Sequence, residues 1–550
     1  MAPRIVIVGG VAAGMSAATR ARRLNERSPI TVLERGGYIS FANCGLPYYL
    51  SGRISGAGNL LLATPEGVRS RYRIDARVRH EVTAIDRAAK RVEGFDHVGD
   101  RRFSAPYDKL ILATGATPVV PPLPNADAPN VFSLRSMEDM QAIRRWLETD
   151  RPRHAVIVGA GFVGLEMAEA LVDCGLEVTI VERAAAPLPA LDPEMAGYVR
   201  DVLDEHDVRL LTGAGLVALH TEQGVVTEVE VDGGERVPAD MVILSMGVRP
   251  NVALGEAAGL KVGDSGALAV DEYLRTSDPD IYAAGDAAEV VHRVTGQTMH
   301  IPLAGPANRL GRLAGEHAAT GASARADRVL GTAILRIFDL AMGVTGLTAA
   351  AAAKAGIVAD VAYVHPNHRA GYYPDTKQIH LKLVYEEATG RLLGAQAVGR
   401  AGVDKRLDVI ATAIHFGGTV NDLASLDLAY APQFSSAKDP VHEAGFVAQN
   451  QRSGLMPAIH PTNLNGQQLV DVRAPAEFAQ GTLEGAVNIP LDELRDRLTE
   501  LDPARPTVVF CQQGRRGYVA QRVLLQHGFG TVRNLKGGYT LAKRVRRPQC

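Results

Sequence analysis

Short apolar runs alternate with glycine-rich turns and helix-like stretches in the first part of the chain. Residues 1–36 have the order strand, glycine turn, helix and strand, and the first strand is the run IVIV at 5–8. Residues 153–183 repeat that order about 150 residues later. Two copies of one βαβ opening predict two nucleotide-binding domains in tandem.

Three more apolar runs in this part of the chain end at or near a glycine. Residues 107–115 (YDKLILATG) and 241–247 (MVILSMG) have the same form, and residues 281–287 (IYAAGDA) follow them. We read all three as strands that end at a turn. We expect the last two to return the chain to the first nucleotide-binding domain.

The pattern changes near residue 330. Strand-like runs at 378–384 and 393–398 precede a helical run near 404–416, which indicates a separate α+β domain. The stretch 447–463 is polar, with Gly and Pro, and reads as a linker. The predicted domains are a first nucleotide-binding domain at 1–152 and 271–328, a second at 153–270, the α+β domain at 329–448, a linker at 449–463 and a final α/β domain at 464–550.

Composition narrows the function classes. The chain has 550 residues, 46% hydrophobic and 22% charged, with a formal net charge of -2. These values are typical of a multidomain globular protein and give no support to a nucleic-acid or membrane partner. No apolar run reaches the ~18 residues of a membrane-spanning helix, and the first strand leaves no room for a signal peptide. We therefore expect a cytoplasmic protein.

Cysteine usage points to the same compartment. The chain has four cysteines, Cys44, Cys174, Cys511 and Cys550, and they are far apart in sequence. No CxxC pair and no metal-ligand spacing occurs, so the sequence predicts neither a disulfide scaffold nor a metal site. In a reducing compartment a lone cysteine either packs in the core or is a reactive thiol. We expect Cys174 to be packing, and Cys550 has no predicted role beyond a free thiol.

The first glycine turn has the chemistry of a dinucleotide site. Gly9, Gly10 and Gly14 lie where a helix would begin, and a helix N-terminus offers free N–H groups and a positive dipole end to a pyrophosphate. Glu34 ends the next strand and is placed to accept hydrogen bonds from a ribose. Val11 stands where the usual fingerprint has its middle glycine.

The second glycine turn matches the fingerprint completely. Gly159, Gly161 and Gly164 precede Glu182, which ends the strand VTIVE. The acidic Glu182 favours an unphosphorylated ribose and hence NADH, while the adjacent Arg183 leaves NADPH open. Two such sites predict two nucleotides, one bound permanently and one exchanging, as electron transfer requires.

These motifs resemble the pyridine nucleotide-disulfide oxidoreductase superfamily over residues 1 to about 445. The resemblance implies FAD in the first site, with Asp286 at its ribityl chain, and NAD(P)H in the second. The cofactor-binding residues that it implies are Gly9, Gly10, Ala13, Gly14, Glu34, Arg35, Asn43, Ala113, Thr114, Gly115, Gly159, Gly161, Phe162, Gly164, Glu182, Gly247, Gly285 and Asp286.

Cys44 is the candidate redox thiol. It lies in the stretch SFANCGLPYY, at the start of a predicted helix after the FAD-binding strand. A single thiolate cannot store two electrons as an internal disulfide, so it forms a mixed disulfide with its substrate or a sulfenate with peroxide. We expect the helix N-terminus to lower the pKa of Cys44.

The same stretch resembles coenzyme A-disulfide reductases, as do GYYPDT around Tyr372 and YAPQFSSAKDP around Tyr430. The resemblance implies a homodimer in which these two tyrosines enter the partner's active site and assist the leaving sulfur. Coenzyme A carries several phosphate charges, which suit basic residues. The implied coenzyme A contacts are Ser16, Arg20, Arg23, Ser40, Asn43, Arg71, Tyr72, Arg73 and Lys438.

Residues 464–550 contain a second candidate thiol. Cys511 begins the loop CQQGRRG between a strand (TVVF) and a helix, where successive N–H groups, arginines and the helix dipole would stabilise a thiolate or persulfide. This loop, the stretch LVDVRAPAEF and GAVNIP resemble rhodaneses. The usual histidine of that family is Thr482 here.

Together these features predict an α/β protein with two Rossmann-like domains, an α+β dimerisation domain and a C-terminal rhodanese domain. The predicted activity is reduction of a coenzyme A disulfide, persulfide or polysulfide by NAD(P)H through FAD and Cys44, with coenzyme A as cofactor or substrate. Two alternatives stay open: an NADH oxidase or peroxidase, and a sulfurtransferase or sulfur-relay protein. The oxidase branch usually has a histidine in the first glycine loop, where this chain has Ala12.

Overall fold

A computed structural model of the chain describes residues 2–545. Two compact units contain these residues: one runs to Ala184 and resumes at His206–Gly331, and the other combines Ala185–Glu205 with the chain from Thr332 onward. Short 3-10 turns are present at Asn43–Gly45, Ala57–Leu60, Gly285–Ala287, Pro461–Asn463 and Leu498–Glu500. Cys550 lies outside the described residues.

The first unit opens with a parallel sheet. Up to residue 152 the strands are β1 Ile5–Val8, β2 Ile30–Leu33, β3 Asp75–Arg77, β4 His80–Asp86, β5 Arg91–Asp96, β6 Arg101–Pro106, β7 Lys109–Leu112, β8 Ala116–Pro118 and β9 Val131–Phe132. The helices of this part are α1 Ala12–Leu24, α2 Leu46–Leu50, α3 Pro65–Tyr72 and α4 Met137–Thr149. The strands β1, β2 and β7 are apolar because both faces of the sheet are buried.

The next part repeats this construction. Its strands are β10 His154–Val158, β11 Glu177–Glu182, β12 Arg209–Thr212, β13 Leu216–Glu222, β14 Val225–Val231, β15 Arg236–Pro238, β16 Met241–Leu244 and β17 Val248–Pro250. Its helices are α5 Phe162–Asp173, α6 Pro193–Glu205 and α7 Ala253–Ala257, of which α6 belongs to the second unit. The first unit ends with β18 Ile281–Ala283, β19 Val290–Val291, β20 Thr298–Met299 and α8 Ala304–Thr320.

Two five-stranded parallel sheets organise the first unit. Their strand orders are β18-β7-β1-β2-β3 and β12-β11-β10-β16-β9. The prediction that residues 241–247 return to the first domain is wrong, because β16 pairs with β10 in the second sheet. In the first sheet, β1 lies between β2 and β7. In the second sheet, β10 lies between β11 and β16 in the same way. The expectation for residues 281–287 is confirmed, since β18 pairs with β7.

Helices α1 and α8 pack closely in the first unit. A Cβ on Gly311 would lie 2.3 Å from the Ala13 carbonyl oxygen, and one on Gly315 would lie 2.2 Å from that of Ala17. Only glycine permits this approach. The packing fixes the start of α1, which carries the first glycine turn.

The second unit combines an antiparallel sheet with a parallel one. Strands β21 Ala333–Ile337, β22 Leu340–Gly346, β23 Ala359–Val364, β24 Ile379–Glu386 and β25 Leu392–Gly399 form the antiparallel sheet, in the order β21-β22-β25-β24-β23. The helices of this part are α9 Ala349–Lys354, α10 Val403–His415, α11 Val420–Ser425 and α12 Pro440–Arg452. The predicted strands at 378–384 and 393–398 and the helical run near 404–416 correspond to β24, β25 and α10.

The last part of the unit is a parallel sheet flanked by helices. Strands β26 Ala458–Ile459, β27 Gln468–Asp471, β28 Ala486–Asn488, β29 Thr507–Phe510 and β30 Val532–Leu535 have the order β26-β30-β29-β27-β28, and the helices are α13 Pro475–Ala479, α14 Arg515–Gln526 and α15 Gly538–Val545. The stretch predicted as a linker is partly structured, because α12 extends to Arg452 and β26 pairs with β30.

A buried ion pair joins α6 to the antiparallel sheet within this unit. Lys382 Nζ lies 2.6 Å from Asp192 Oδ2 and also pairs with Glu194, and the Lys382 and Asp192 side chains are almost fully buried. Gln396 Nε2 donates to Asp192 at 2.6 Å as well. Because a buried charge is costly when unpaired, this network fixes α6 against the sheet.

Candidate active site

The first glycine turn is shaped for close approach of a ligand. Gly9 has φ +103°, and a Cβ on it would lie 2.1 Å from the Ala113 carbonyl oxygen; a Cβ on Gly14 would lie 1.8 Å from that of Gly9. Glu34 accepts hydrogen bonds from the N–H groups of Gly10 and Gly36, each at 2.7 Å. The turn is therefore a compact backbone cradle at the start of α1, with a carboxylate fixed beside it, which fits a dinucleotide.

The second turn has the same geometry. Gly159 has φ +108°, and a Cβ on Gly164 would lie 2.0 Å from its carbonyl oxygen. Glu182 accepts from the N–H groups of Ala160 at 2.8 Å and Ala184 at 2.7 Å, as Glu34 does in the first turn. Gly161 differs from the other fingerprint glycines, since a Cβ placed on it meets nothing within 4 Å. That open space lies where the fingerprint brings a pyrophosphate close to the backbone.

Two glycine substitutions in the second turn should separate ligand binding from folding. G164A should lower the free energy of unfolding by about 3 kcal/mol, because its Cβ collides with backbone. G161A should leave stability within about 0.5 kcal/mol. It should nevertheless raise KM for NADH by about tenfold, because its methyl group occupies the pyrophosphate's place. Urea unfolding and steady-state kinetics measure the two effects. A G161A enzyme with unchanged KM would contradict the assignment.

The other predicted cofactor residues lie around these turns. Thr114 Oγ1 donates to the Asn251 carbonyl at 2.7 Å, just after β7. Gly285 lies against α1, since a Cβ on it would be 2.9 Å from the Ala13 side chain. Ala113 and Gly115 follow β7, Gly247 follows β16, and Phe162 begins α5. Arg35 is exposed beside Glu34.

The turn that carries Cys44 is linked to Asp286 by a chain of polar contacts. It lies exposed in the 3-10 turn Asn43–Gly45. Asn43 Nδ2 donates to the Arg135 carbonyl at 3.1 Å, and Arg135 Nη2 pairs with Asp286 Oδ2 at 2.8 Å. The structure therefore brings Cys44 together with Asp286, which the resemblance assigns to FAD. Arg135 was not predicted as a site residue.

The expected lowering of the Cys44 pKa is wrong. Partial burial raises the pKa of the thiol, the Glu166 carboxylate raises it further, and Arg135 opposes them. The turn has three residues and the following α2 has five, so the aligned backbone dipoles are few. Tyr48 donates to Glu166 at 3.0 Å. In the sequence, Glu166 could have been identified as a site residue by its position in VGLE, directly after the second glycine turn.

The predicted coenzyme A contacts fall into two groups in the first unit. On α1, Ser16 donates to Asn308 at 2.7 Å, Arg20 pairs with Glu316 at 2.6 Å, and Arg23 is exposed. Residues 71–73 lie at the end of α3, where Arg71 and Arg73 are exposed and Tyr72 is half-buried. Ser40 is half-buried shortly before Cys44.

The buried Arg22 links the ends of α1 and α3. It donates to the carbonyl oxygens of Tyr72 at 2.7 Å and Arg73 at 3.1 Å. This guanidinium was not singled out from the sequence, because only the fold shows that it is buried. It holds the two predicted contact groups next to each other.

Tyr372 and Tyr430 meet on the second unit. Their hydroxyl oxygens are 3.5 Å apart, although the residues are 58 positions apart in sequence. The side chains are exposed, with relative accessibilities of 77% and 51%. Phe434 nearby in sequence is also exposed. The predicted Lys438 is exposed in this unit.

The Cys511 loop connects β29 to α14. The thiol is buried, and the N–H group of Gly514, which has φ +103°, donates to Cys511 Sγ at 3.2 Å. Arg516 forms a bidentate pair with Glu477 at 2.7 Å, and the pKa of Arg516 is raised by Glu477 first and also by Cys511. Of the predicted donors, one backbone N–H group, that of Gly514, and one arginine, Arg516, interact with this sulfur.

A buried ion pair supports this loop. Arg473 Nη2 lies 2.7 Å from Asp471 Oδ2, and Arg473 Nη1 donates to Gln512 Oε1 at 3.0 Å. Thr482, which stands in place of the rhodanese histidine, donates to Asp471 at 2.7 Å. The substitution therefore keeps a hydrogen bond to the carboxylate.

A histidine pair lies between the two sheets of the second unit. The Nδ1 atoms of His365 and His380 are 2.9 Å apart, and His365 Nε2 lies 3.1 Å from the Gly537 carbonyl oxygen. His365 therefore donates through Nε2 and accepts through Nδ1. Burial is the main cause that lowers the pKa of His365 to about 4 and that of His380 to about 2.

Acidification should destabilise this unit. Because the folded pKa of His365 lies below the unfolded value of about 6.5, the unfolded chain takes up the proton first, and stability is lost as pH falls from 6.5 towards 4. The expected loss from His365 is about 2 kcal/mol at pH 5. Urea unfolding followed by circular dichroism at pH 7.5 and pH 5 measures it. An equal pH dependence in H365Q would contradict this assignment.

The remaining sequence predictions concern the other cysteines, metals and membranes. Cys174 is exposed rather than packed, because it lies at the C-cap of α5, where its Sγ contacts the Leu50 carbonyl at 3.4 Å. Among residues 2–545 no group of His, Cys, Asp and Glu is arranged to hold a metal ion. None of the helices in that range is long and apolar enough to cross a membrane.

Known proteins resemble the chain over most or nearly all of its length. It is 38% identical over 440 residues to the NAD(P)H sulfur oxidoreductase (CoA-dependent) of Pyrococcus abyssi, covering 80% of this chain and 96% of the relative. The structure of reduced Bacillus anthracis CoADR-RHD matches with a TM-score of 0.97 and 43% identity, covering 99% of this chain and 98% of that one. An NAD-dependent persulfide reductase from A. fulgidus matches with a TM-score of 0.93 and 38% identity, covering 98% and 99%.

Family models agree with these matches. The pyridine nucleotide-disulphide oxidoreductase model matches residues 3–307, the dimerisation domain of that family matches residues 332–441, and the rhodanese-like domain matches residues 459–544. The family implies FAD and NAD(P)H, which the two glycine turns fit. The chain therefore belongs to the pyridine nucleotide-disulphide oxidoreductase family, with that family's dimerisation domain and a rhodanese-like domain after its two nucleotide-binding domains.

Proposed function

We propose that the chain is an NAD(P)H-dependent reductase of sulfur–sulfur bonds in coenzyme A disulfide, coenzyme A persulfide or polysulfide, with Cys44 as its redox thiol. The observation that carries the proposal is an exposed thiol in a turn that the Asn43–Arg135–Asp286 contacts connect to Asp286, the residue that the family resemblance assigns to FAD. The names of the relatives support a sulfur substrate and coenzyme A. A reducing cytoplasm suits such a thiol.

The proposed reaction is a two-electron reduction. The Cys44 thiolate attacks the outer sulfur of a coenzyme A persulfide, the S–S bond of the substrate breaks, and coenzyme A leaves as a thiol after taking a proton. The sulfur now bonded to Cys44 leaves as hydrosulfide when two electrons from NAD(P)H reach the new S–S bond. The sum is CoA–S–SH + NAD(P)H + H⁺ → CoA–SH + H₂S + NAD(P)⁺.

Bound FAD would supply the two-electron transfer between the nicotinamide and the thiol. Glu34 and Glu182 would hold the two ribose groups at the ends of β2 and β11. Arg135 places a positive charge near Cys44 and favours its thiolate, against burial and Glu166. The charge state of the Cys44 thiol that meets the substrate therefore depends on its burial and on the Glu166 and Arg135 charges.

Tyr372 and Tyr430 have the chemistry to protonate a leaving sulfur. Their hydroxyl groups lie together on an exposed aromatic surface, which suits insertion into a second subunit. We assign them to the partner's active site in a homodimer, together with Lys438. Arg20, Arg23, Arg71 and Arg73 of the first unit would bind coenzyme A phosphates.

Cys511 would act as a sulfane-sulfur carrier. Its loop places an N–H group and the Arg516 guanidinium near the sulfur, an environment that stabilises a thiolate or persulfide. The carrier would exchange sulfur with the same persulfide pool that Cys44 reduces.

Anaerobic NADH oxidation tests the proposed function. The purified FAD-loaded protein is given coenzyme A disulfide, coenzyme A persulfide or polysulfide, and thiol and sulfide release are measured with NADH and with NADPH. We expect stoichiometric release from at least one of these substrates. Greater NADH consumption with oxygen or peroxide than with every sulfur substrate would instead show an oxidase or peroxidase.

The same assay tests the two tyrosines. Removing one general acid typically costs 10²–10⁴-fold, so the Y372F/Y430F double variant should lose about 100-fold in kcat. FAD content and thiosulfate transfer by Cys511 serve as controls. Unchanged kcat would remove these residues from the mechanism.

A further inference from the structure

Cys44 and Tyr48 lie on one side of a continuous helical stretch. The 3-10 turn Asn43–Gly45 passes directly into α2 Leu46–Leu50, and the residues at the junction have helical φ and ψ angles. Side chains four positions apart in such a stretch are neighbours, about 6 Å apart at their Cβ atoms. The Tyr48 side chain therefore lies on the same side as the Cys44 thiol.

The hydroxyl group of Tyr48 reaches a carboxylate on α5. It donates to Glu166 Oε1 at 3.0 Å. Just beyond α2, Arg53 pairs with Glu169 at 2.5 Å and with Asp173 at 2.9 Å, which fixes the same segment along α5. Glu166 is therefore held on the face of α5 that covers the helical stretch with the Cys44 thiol.

Three charged side chains act on the Cys44 sulfur. Burial raises the pKa of the thiol, and the Glu166 carboxylate is the next cause that raises it. Arg135 lowers this pKa by less than Glu166 raises it, and Asp286 adds a smaller increase. Among these charges, Glu166 therefore has the largest effect on whether Cys44 is a thiolate.

Glu166 itself is biased towards holding a proton. Burial raises the pKa of its carboxyl group, the hydrogen bond from Tyr48 lowers it, and the neighbouring Glu169 raises it. Two acidic groups that repel each other in a partly buried site lose their protons in two coupled steps. Between these steps, the pair of Cys44 and Glu166 holds one proton and one negative charge.

We propose that Cys44 and Glu166 share one proton, and that Glu166 resupplies the proton that the leaving sulfur takes. This inference rests on the proposed reductase function. When the Cys44 thiolate attacks coenzyme A disulfide, a disulfide between Cys44 and coenzyme A forms and the S–S bond of the substrate breaks. The departing coenzyme A thiolate receives the proton that Glu166 held, and Glu166 becomes a carboxylate.

Reduction restores the starting state of the pair. Two electrons from NAD(P)H break the bond between Cys44 and coenzyme A and leave Cys44 as a thiolate. The departing sulfur and the Glu166 carboxylate each take up one proton. The pair keeps one negative charge throughout, and the sum is CoA–S–S–CoA + NAD(P)H + H⁺ → 2 CoA–SH + NAD(P)⁺.

Alkylation of Cys44 by iodoacetamide measures the shared proton, because the thiolate is the reactive form. The FAD-loaded full-length enzyme is reduced with NADH, freed of nucleotide and alkylated without oxygen over a range of pH, and peptide mass spectrometry follows Cys44 alone. E166Q should lower the midpoint of alkylation by about one pH unit, which makes alkylation at pH 7 about tenfold faster. E166D, which keeps the charge, should change that rate by less than about threefold.

The E166Q enzyme should nevertheless turn over more slowly. Because glutamine holds no transferable proton, kcat for coenzyme A disulfide should fall by at least about tenfold, although Cys44 is more ionised. A merely structural role of Glu166 would not make the thiol more reactive while slowing turnover. E177Q on β11 removes an exposed carboxylate and is the matched charge control, which should leave both measurements unchanged.

Two results would overturn the proposal. One is an unchanged rate of Cys44 alkylation in E166Q, and the other is an equal change in E166Q and E166D, which would show a structural effect. The proposed reductase function fails separately. A wild-type enzyme that reduces no coenzyme A disulfide, while E166Q still shows faster alkylation, would contradict that function and leave the shared proton in place.

Discussion

Replacing Cys44 by serine is expected to abolish NADH-driven release of thiol and hydrosulfide. The serine hydroxyl has almost the same size, so the turn and the Asn43–Arg135–Asp286 contacts should persist. It is not ionised at neutral pH and does not attack an S–S bond, so kcat should fall by at least about 1,000-fold. FAD content and the KM for NADH in electron transfer to an artificial acceptor should be unchanged.

C174S is the matched control for this prediction. Cys174 is an exposed cysteine of the same unit, and its substitution should leave the reductase activity intact. A C44S enzyme that still releases sulfide at the wild-type rate would remove Cys44 from the reaction. That result would favour the alternative function, a sulfur-relay protein in which the first unit is mainly a scaffold.

Replacing Cys511 by serine should have the opposite effect. Transfer of sulfur from thiosulfate to cyanide should fall by at least about 1,000-fold, because the carrier sulfur is lost while the loop keeps its shape. NADH-driven reduction of coenzyme A disulfide should stay within about twofold of the wild type, since that substrate needs no sulfane carrier.

The two cysteine variants are expected to lose different activities: C44S loses the NADH-driven reduction, and C511S loses the sulfur transfer. Thiocyanate formation and anaerobic NADH oxidation are measured on both proteins from parallel preparations. If C511S also abolished reduction of coenzyme A disulfide, the two thiols would act in one obligatory sequence, and the proposed independence of the carrier would be wrong.

The sequence predicted the two nucleotide-binding folds because their constraints are local. The fingerprint glycines Gly9, Gly14, Gly159 and Gly164 stand where any Cβ would meet backbone, so the residue type itself reports the geometry. The family models and the similar solved structures confirm the family and the fold class. The individual site residues remain predictions, although the structure brings several of them together.

The errors have a common physical origin. Residues 241–247 resemble residues 107–115 because each strand occupies the same place in its own sheet, and the pattern alone does not say which sheet a strand joins. The pKa of Cys44 depends on burial and on Glu166 and Arg135, which are distant in sequence. Cys174 lies in an apolar run, yet the fold leaves it exposed at a helix end.

Contacts across long sequence separations were not predictable from one sequence. Arg135 and Asp286 are 151 positions apart, and their ion pair connects the Cys44 turn to the predicted FAD site. The meeting of Tyr372 and Tyr430 is of the same kind. Such pairs depend on the strand order and on helix packing, and neither can be read from the pattern of residues along one sequence.

Mass spectrometry of the covalent intermediate tests the central claim most directly. The oxidised, FAD-loaded enzyme is first reduced with NADH, freed of nucleotide, and then mixed with coenzyme A disulfide without oxygen. We predict a peptide with one coenzyme A joined to Cys44 by a disulfide, and we predict that NADH removes it. A fully active enzyme whose Cys44 stays unmodified, with the adduct on another cysteine or on none, would contradict the account.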